Sequence, residues 1–315
     1  MSDHPQRLLL LDSASMYFRA FFGMPEHLAP DGTNVNAVRG MLDYVVRLLE
    51  EYRPQAAVCC WDDDWRPQWR VDLVPTYKAH RVVEPVPGGT DVEEVPDPLA
   101  VQVPILREVL GALGLAVVGA PEAEADDVIG TLATTWAAAG AGPVDVVTGD
   151  RDLFQLVDDA AGVRVLYIAK GVGRHERVDE AWVREKYGVE ASQYADFATL
   201  RGDASDGLPG VAGIGEKTAA VLLGAHGDLA GVIAAAHDAA SDLKPAARRR
   251  ILEGLPYLAV APEVVAVRRT LDLGTPALSV PAVPADPDAL AALAQRWNLE
   301  GAVSRLLDVL ADLSR

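Results

Sequence analysis

The sequence predicts an α/β fold in which a largely parallel central sheet is flanked by helices, followed by a mainly helical second part. Two observations carry this. Short apolar runs alternate with longer segments of helical spacing through the first half, the pattern of strands joined by helical crossovers. From about Asp179 onward the apolar spacing is mostly helical.

In chain order the strand candidates are "RLLLL" (7–11), "AAVCCW" (56–61), "LAVV" (115–118), "VDVVT" (144–148) and "VRVLYI" (163–168). Each is short and predominantly apolar, as strands covered on both faces are. Between them "VNAVRGMLDYVVRLLEEY", "LAVQVPILREVLGALG" and "EADDVIGTLATTWAAAG" have helical spacing with Gly or Pro near their ends. Segment 82–100 differs: it holds Glu84, Asp91, Glu93, Glu94 and Asp97, several prolines and no Lys or Arg, and reads as a long mobile loop. In the second part, "EVVAVRRTLDL" (263–273) reads as a strand returning to the sheet. "PDALAALAQRWNLEGAVSRLLDVLADL" closes the chain as two helices.

A net charge of −18, from 28 Lys plus Arg against 46 Asp plus Glu, excludes a general polyanion-binding surface. Any nucleic-acid role must rest on local basic patches or on metals that offset the acids. Cys59 and Cys60 are neighbours in an apolar strand, too few for a disulfide framework or a zinc site. The run of four leucines near the start is too short for a signal peptide or membrane helix, so a soluble cytoplasmic protein is expected.

Ligands of open parallel sheets bind at the carboxyl ends of the strands. Acids fall there repeatedly. Asp12 follows the first strand and Asp62 the second; Glu124, Asp126 and Asp127 open the helix after the third; Asp150 and Asp152 follow the fourth. Seven carboxylates on one rim would repel one another unless divalent cations sit among them. Magnesium prefers such oxygen ligands, and phosphate-handling sites commonly use two ions about 4 Å apart. On a helix, Glu124 and Asp127 share a face while Asp126 points elsewhere. Taken singly, the acids around residue 124 also suit a helix start, and Asp150 and Asp152 suit a turn and cap. Repetition at four strand ends is what favours metal. Asp203 and Asp206, in "RGDASDGLPG", fit an Asx turn as they stand.

"GVAGIGEKTAAVLL" offers Gly213 and Gly215 ahead of a helix start, with Lys217 and Thr218 beside them, an arrangement whose exposed N–H groups can hold phosphate. Residues 61–81 interleave Trp61, Trp65 and Trp69 with Arg66, Arg70, Lys78 and Arg81, a composition suited either to single-stranded nucleic acid or to a core with solvated cations. Lys244 and Arg248 to Arg250 read as a helix face that touches duplex or is simply solvated.

Six ordered motifs, "LLLDSASMYFRAFF", "CWDDDWRPQWR", "YKAHR", "EAEADDVIGTLA", "TGDRDLFQLV" and "GDASDGLPGVAGIGEKTA", together resemble the bacterial 5'-nuclease family. That family comprises flap endonucleases and the 5'-nuclease domain of DNA polymerase I. The resemblance implies a PIN-like 5'-nuclease fold with a nuclease domain over 1–178 and a DNA-binding subdomain over 179–315. A helix-hairpin-helix is expected at about 192–224 and an arch or clamp over the site at about 82–100.

The resemblance further implies two or three Mg2+ or Mn2+ ions held by Asp12, Asp62, Glu124, Asp126, Asp127, Asp150 and Asp152, and it recruits Asp203 and Asp206 as ligands too. Arg19, Lys78 and Arg81 take catalytic roles at the scissile phosphate, Tyr77 and Arg70 contact DNA, and the hairpin grips duplex with the help of a K+ ion. The implied enzyme is a stand-alone, monomeric 5'-3' exonuclease and 5'-flap endonuclease acting in DNA replication and repair. Its partners would be DNA with a 5' end, flap or nick, including RNA-primed DNA, with no membrane. A catalytically silent DNA-binding homologue is the alternative. Three positions depart from the family pattern: Ser13 and Gly207 stand where glycine and asparagine are usual, and Ala212 replaces a proline.

Overall fold

A computed structural model describes residues 6–86 and 89–315. Its strands are β1 (Leu8–Asp12), β2 (Ala56–Cys60), β3 (Val82–Glu84), β4 (Val92–Glu93), β5 (Ala116–Val118), β6 (Val144–Thr148), β7 (Val163–Tyr167) and β8 (Glu176–Val178). Six of them form one sheet in the order β5-β2-β1-β6-β7-β8, parallel throughout except for β8, which runs antiparallel to β7. The chain steps outward from β1 to β2 to β5, then returns to place β6 on the other side of β1. The switch point therefore lies between the carboxyl ends of β1 and β6, where a ligand crevice opens.

Alternation along β1 divides the core in two. Leu8 and Leu10 face a layer containing Val58, Val146, Ile129 and Phe154, which continues into the second part through Tyr194, Phe197, Leu222 and Ile251. Leu9 and Leu11 face Val38, Leu42, Leu106 and Leu110, and the same layer takes Leu290, Leu306 and Leu310 from the closing helices Pro287–Arg296 and Glu300–Leu313. The last helices thus cover the sheet face opposite the helix Ala125–Ala138. Among the described residues, no single helix is long and apolar enough to cross a membrane.

Two expectations change. Within 82–100, β3 and β4 pair as an antiparallel hairpin and a short helix follows at Asp97–Ala100; residues 87 and 88 lie outside the described residues. Its sequence lacks strong periodicity, so only tertiary contacts reveal its order. Trp65 Nε1 donates to the Asp91 carbonyl at 2.7 Å, and the Asp91 carboxylate accepts from Arg66 and from Val86 N–H.

The segment 263–273 is not a strand. A short helix (Ala261–Val265) gives way to an irregular strap whose N–H groups are taken by side chains: Val267 donates to Gln155 Oε1 (3.1 Å), Arg268 to Asp127 Oδ1 (2.8 Å) and Leu271 to Thr131 Oγ1 (3.2 Å). Both neighbours of each inner strand are already filled. Only Leu278 and Val280 reach the sheet, bonding the start of β2 through Ala57 N–H and the Gln55 carbonyl. Gln155 also donates to the Val265 and Asp152 carbonyls, so one buried amide fastens the strap. Gln155→Leu should cost about 1–3 kcal/mol by stranding these buried groups. Chemical denaturation would show this as a lower midpoint with an unchanged slope.

Candidate metal centre

Helix starts and strand ends assemble the site. Asp12 closes β1 and caps the helix Ser13–Gly23, one oxygen accepting from Ser15 N–H (3.1 Å) and the other from Thr148 Oγ1 at the end of β6 (2.6 Å). Thr148 Oγ1 accepts from Asp150 N–H, and Asp150 in turn accepts from Asp152 N–H, both at 2.8 Å. A hydrogen-bonded chain therefore sets three acids across the switch point. After β2, Asp62 accepts from Ala125 N–H at 2.7 Å and so fixes the start of the helix that presents Asp126.

These groups line one cleft of about 190 Å³: Asp12, Asp62, Asp126 and Asp150 with Glu124, facing Lys78, Arg81, Trp65 and Glu93. Burial pushes the Asp62 carboxyl up to about 7. Burial and the neighbouring Asp150, Asp12 and Glu124 raise Asp126 well above the usual carboxylate range. Asp150 is raised chiefly by burial. Asp152 is raised well above that range by burial and by Asp150, Asp206 and Asp203. Its Oδ1 is buried without a hydrogen-bond partner. Such a set of hard oxygen donors suits magnesium or manganese. Among the described residues, no three acidic, histidine or cysteine side chains converge on one point, so an ion here would keep several of its waters.

Several expected site residues are placed differently. Asp127 lies behind the cleft, fully buried, with both oxygens on the Arg70 guanidinium (2.7 and 2.8 Å) and further bonds from Glu124 and Arg268 N–H. The helix starts at Ala125, making Glu124 its cap; Asp127 shares the Glu124 side, as helical spacing predicts, but that side faces Arg70 and the core. Arg70 and Tyr77 cannot meet DNA in this state. Arg70 is only 3% exposed and holds Glu124 (3.0 Å) and the Val264 carbonyl (3.1 Å), and the Tyr77 hydroxyl donates to Glu124 at 2.7 Å. Trp69, read as a stacking candidate, lies between the guanidinium groups of Arg70 and Arg268.

Lys78 is buried, with Nζ on Glu124 Oε2. Burial alone would lower its ammonium, but Glu124 holds it well above its ordinary value. Arg81 donates to Asp206 (2.9 Å) and to the Ser205 carbonyl (2.6 Å). Burial raises Asp206, whereas Asp203, which burial would also raise, is held below the usual range by Ser205, Arg201 and Arg151. Gly207 has φ +69°, and a Cβ there would lie 2.1 Å from the Thr76 carbonyl oxygen. That contact explains why asparagine does not stand at this position.

Arg19 sits elsewhere. It donates to the Ala169 carbonyl at 3.0 Å and lines a neighbouring groove of about 700 Å³ with Phe18, Phe22, Tyr44, Asp150, Lys170 and Arg174. Lys170 and Arg174 carry no motif in the sequence and are found only because the turn after β7 folds toward Asp150. In the second part, helices Tyr194–Arg201 and Glu216–His226 flank a turn in which Gly213 has φ +78°. Gly215 caps the second helix without a side-chain bond, beside exposed Lys217 and half-buried Thr218. Arg250 donates to the Gly213 carbonyl at 2.9 Å.

Crowding of this kind has a stability signature. In metal-free buffer near neutral pH, Asp126→Asn should raise the melting temperature by about 2–4 °C through relieved repulsion. Added Mg2+ or Mn2+ should raise it more in the unsubstituted protein than in the variant. Differential scanning calorimetry decides this, and an unsubstituted protein indifferent to both ions would refute it.

Two adjoining domains match known families: residues 7–188 the 5'-3' exonuclease N-terminal resolvase-like domain, and residues 189–288 the 5'-3' exonuclease C-terminal SAM fold. The chain is 59% identical over 303 residues to a 5'-3' exonuclease of Streptomyces coelicolor, covering 96% of this chain and 99% of that protein. It is 49% identical over 315 residues to a 5'-3' exonuclease of Mycobacterium tuberculosis, covering 97% and 98%. A bacteriophage T5 flap endonuclease, solved as a pseudo-enzyme-product complex with DNA and metal ions, superposes with a TM-score of 0.64 at 16% identity over 97% of this chain and 99% of that one. That likeness shows a shared fold. On its two matched domains and its full-length relatives, the chain belongs to the 5'-3' exonuclease family.

Proposed function

We propose that this nuclease hydrolyses DNA phosphodiesters at 5' ends and 5'-flap junctions with the help of divalent metal, releasing 5'-phosphate and 3'-hydroxyl products. One observation carries the reading: carboxylates from four strand ends line a single cleft opposite Lys78 and Arg81. Asp12, Asp62, Asp126 and Asp150, with Asp152, Asp203 and Asp206 on the far side, are the residues that would hold two or three Mg2+ or Mn2+ ions. Such ions supply Lewis-acid polarisation of the phosphate and of the attacking water.

The chain's own residues do the rest. Lys78 and Arg81 stand ready to offset charge on the phosphate once substrate draws them from Glu124 and Asp206. Glu124 keeps Lys78 aimed at the cleft and is itself held by Arg70 and Tyr77. Asp127 acts as the buried partner of Arg70 rather than as a ligand. The turn around Gly213 and Gly215 offers exposed backbone to duplex phosphates, with Lys217 and Thr218 at its side and a K+ ion as the natural counter-charge. The basic groove of Arg19, Lys170 and Arg174 continues from the cleft and suits a neighbouring phosphate.

A labelled 5'-flap duplex assayed with Mg2+ or Mn2+ tests the proposal. Asp150→Asn should lower the single-turnover rate by at least about a hundredfold. Lys78→Ala should slow the same step by about a hundredfold while changing duplex affinity less than about threefold. An unsubstituted protein that cuts with neither ion would sink the reading, whereas loss of affinity alone in the lysine variant would move Lys78 from chemistry to docking.

A further inference from the structure

The β3–β4 hairpin stands over the cleft with negative charge only. Segment 82–100 contains five acids and neither lysine nor arginine. Its anchoring is specific: Arg66 pairs with Asp91, Trp65 Nε1 donates to the Asp91 carbonyl, and Glu94 N–H donates to the Arg81 carbonyl at 2.7 Å. Asp91 is thereby offset by its own arginine. Glu93 pairs with Val82 through its backbone, while its carboxylate forms no ion pair or hydrogen bond among the described residues. It faces the cleft, among the residues that line it with Lys78, Arg81, Asp62 and Asp126, while Glu84 and Glu94 are exposed on the same hairpin.

The cations nearby are already matched. Before substrate enters, Lys78 is paired with Glu124 and Arg81 with Asp206, so the charge each turns toward Glu93 across the cleft is shared with another carboxylate. Across Ser15, Phe18 and Asp150 the charge reverses, because Arg19, Lys170 and Arg174 line the adjoining groove. A phosphate entering the cleft thus meets a basic wall on one side and an acidic one on the other.

Resting on the 5'-nuclease reading of the site, we propose that the acidic hairpin, through Glu93, is a specificity determinant that discriminates against long single-stranded 5' extensions and favours recessed or barely displaced 5' ends. Each nucleotide of a long extension carries a phosphate past Glu93 in a partly dehydrated space, where like charges are poorly screened. A 5' end at a nick brings at most one or two phosphates there. The hairpin does not block the cleft; it sets a charge barrier whose height grows with the number of phosphates that must cross it.

Two substrates separate the cases: a nicked duplex with a single displaced 5' nucleotide, and the same duplex with a long oligothymidine flap. Glu93→Gln should raise the flap-to-nick ratio of kcat/KM roughly tenfold, and Glu93→Lys should raise it further. Raising salt from about 0.05 to about 0.5 M should shrink the gap between the unsubstituted protein and the variants, as screening requires. A ratio that stays constant, or substrates that rise and fall together in both variants, would overturn the proposal and reduce Glu93 to a structural role. An unsubstituted protein that cuts neither substrate with Mg2+ or Mn2+ would instead overturn the nuclease reading, and this proposal with it.

Discussion

Crowded negative charge at the carboxyl edge of the sheet is the constraint to which the surrounding structure is fitted. Carboxylates from β1, β2, β6 and the helix Ala125–Ala138 cannot all stay ionised in a half-buried cleft without partners. The fold divides them into two groups. Glu124 and Asp127 are neutralised inside the protein by Arg70 and Lys78, and Asp203 and Asp206 by Arg151, Arg201 and Arg81. Asp12, Asp62, Asp126, Asp150 and Asp152 form no ion pair among the described residues, and the last leaves a buried oxygen without a hydrogen bond. What the protein cannot neutralise by itself is what it offers to cations first, and Asp203 and Asp206 would join only by giving up their arginines.

The internal group is costly to hold together. A guanidinium as buried as Arg70 is tolerable only when its nitrogens find acceptors, and all three do: two bonds to Asp127, one to Glu124 and one to the Val264 carbonyl. That last bond ties the network to the second part of the chain, and Arg268 N–H on Asp127 ties it again. The charge problem of the nuclease domain is thus solved partly by backbone from beyond residue 260, which gives the irregular strap a reason to lie where it does.

This also explains how much was legible beforehand. The parallel sheet was, because β1, β2 and β6 are largely apolar runs, as strands buried on both faces are, with Asp145 in β6 the buried exception held by Arg7 and Arg164. The rim of acids was, because strand ends are positions that can be read directly. Orientation within the rim was legible only in part: helical spacing groups Glu124 with Asp127 and sends Asp126 elsewhere, as their shared Arg70 bears out, but it does not tell that Asp126 faces the cleft and Asp127 the core. Arg70 and Tyr77 looked like nucleic-acid contacts because a cation beside aromatics has the same composition whether it meets a base or a buried carboxylate. The strap at 263–273 has the apolar content of a strand, yet its N–H groups are satisfied by Gln155, Thr131 and Asp127, partners more than a hundred residues away that no local pattern reveals.

The turn at Asp203 to Gly207 joins the two parts where chemistry and docking meet. Lys78 has a left-handed backbone, φ 46°, and its N–H donates to the Asp206 carbonyl at 2.9 Å. Directly beneath, the Thr76 carbonyl approaches Gly207 so closely that no side chain fits. A left-handed lysine is uncommon and strained, so its conformation depends on that neighbouring turn. The same turn runs within a few residues into half-buried Gly210 and exposed Gly213, ahead of the helix Glu216–His226. Backbone packing thereby connects the turn proposed to meet duplex and the ammonium proposed to meet the scissile phosphate. The residues that line the cleft all come from the first part, but the aim of Lys78 within it is set jointly by Glu124 from the sheet edge and by Asp206 from the helical part.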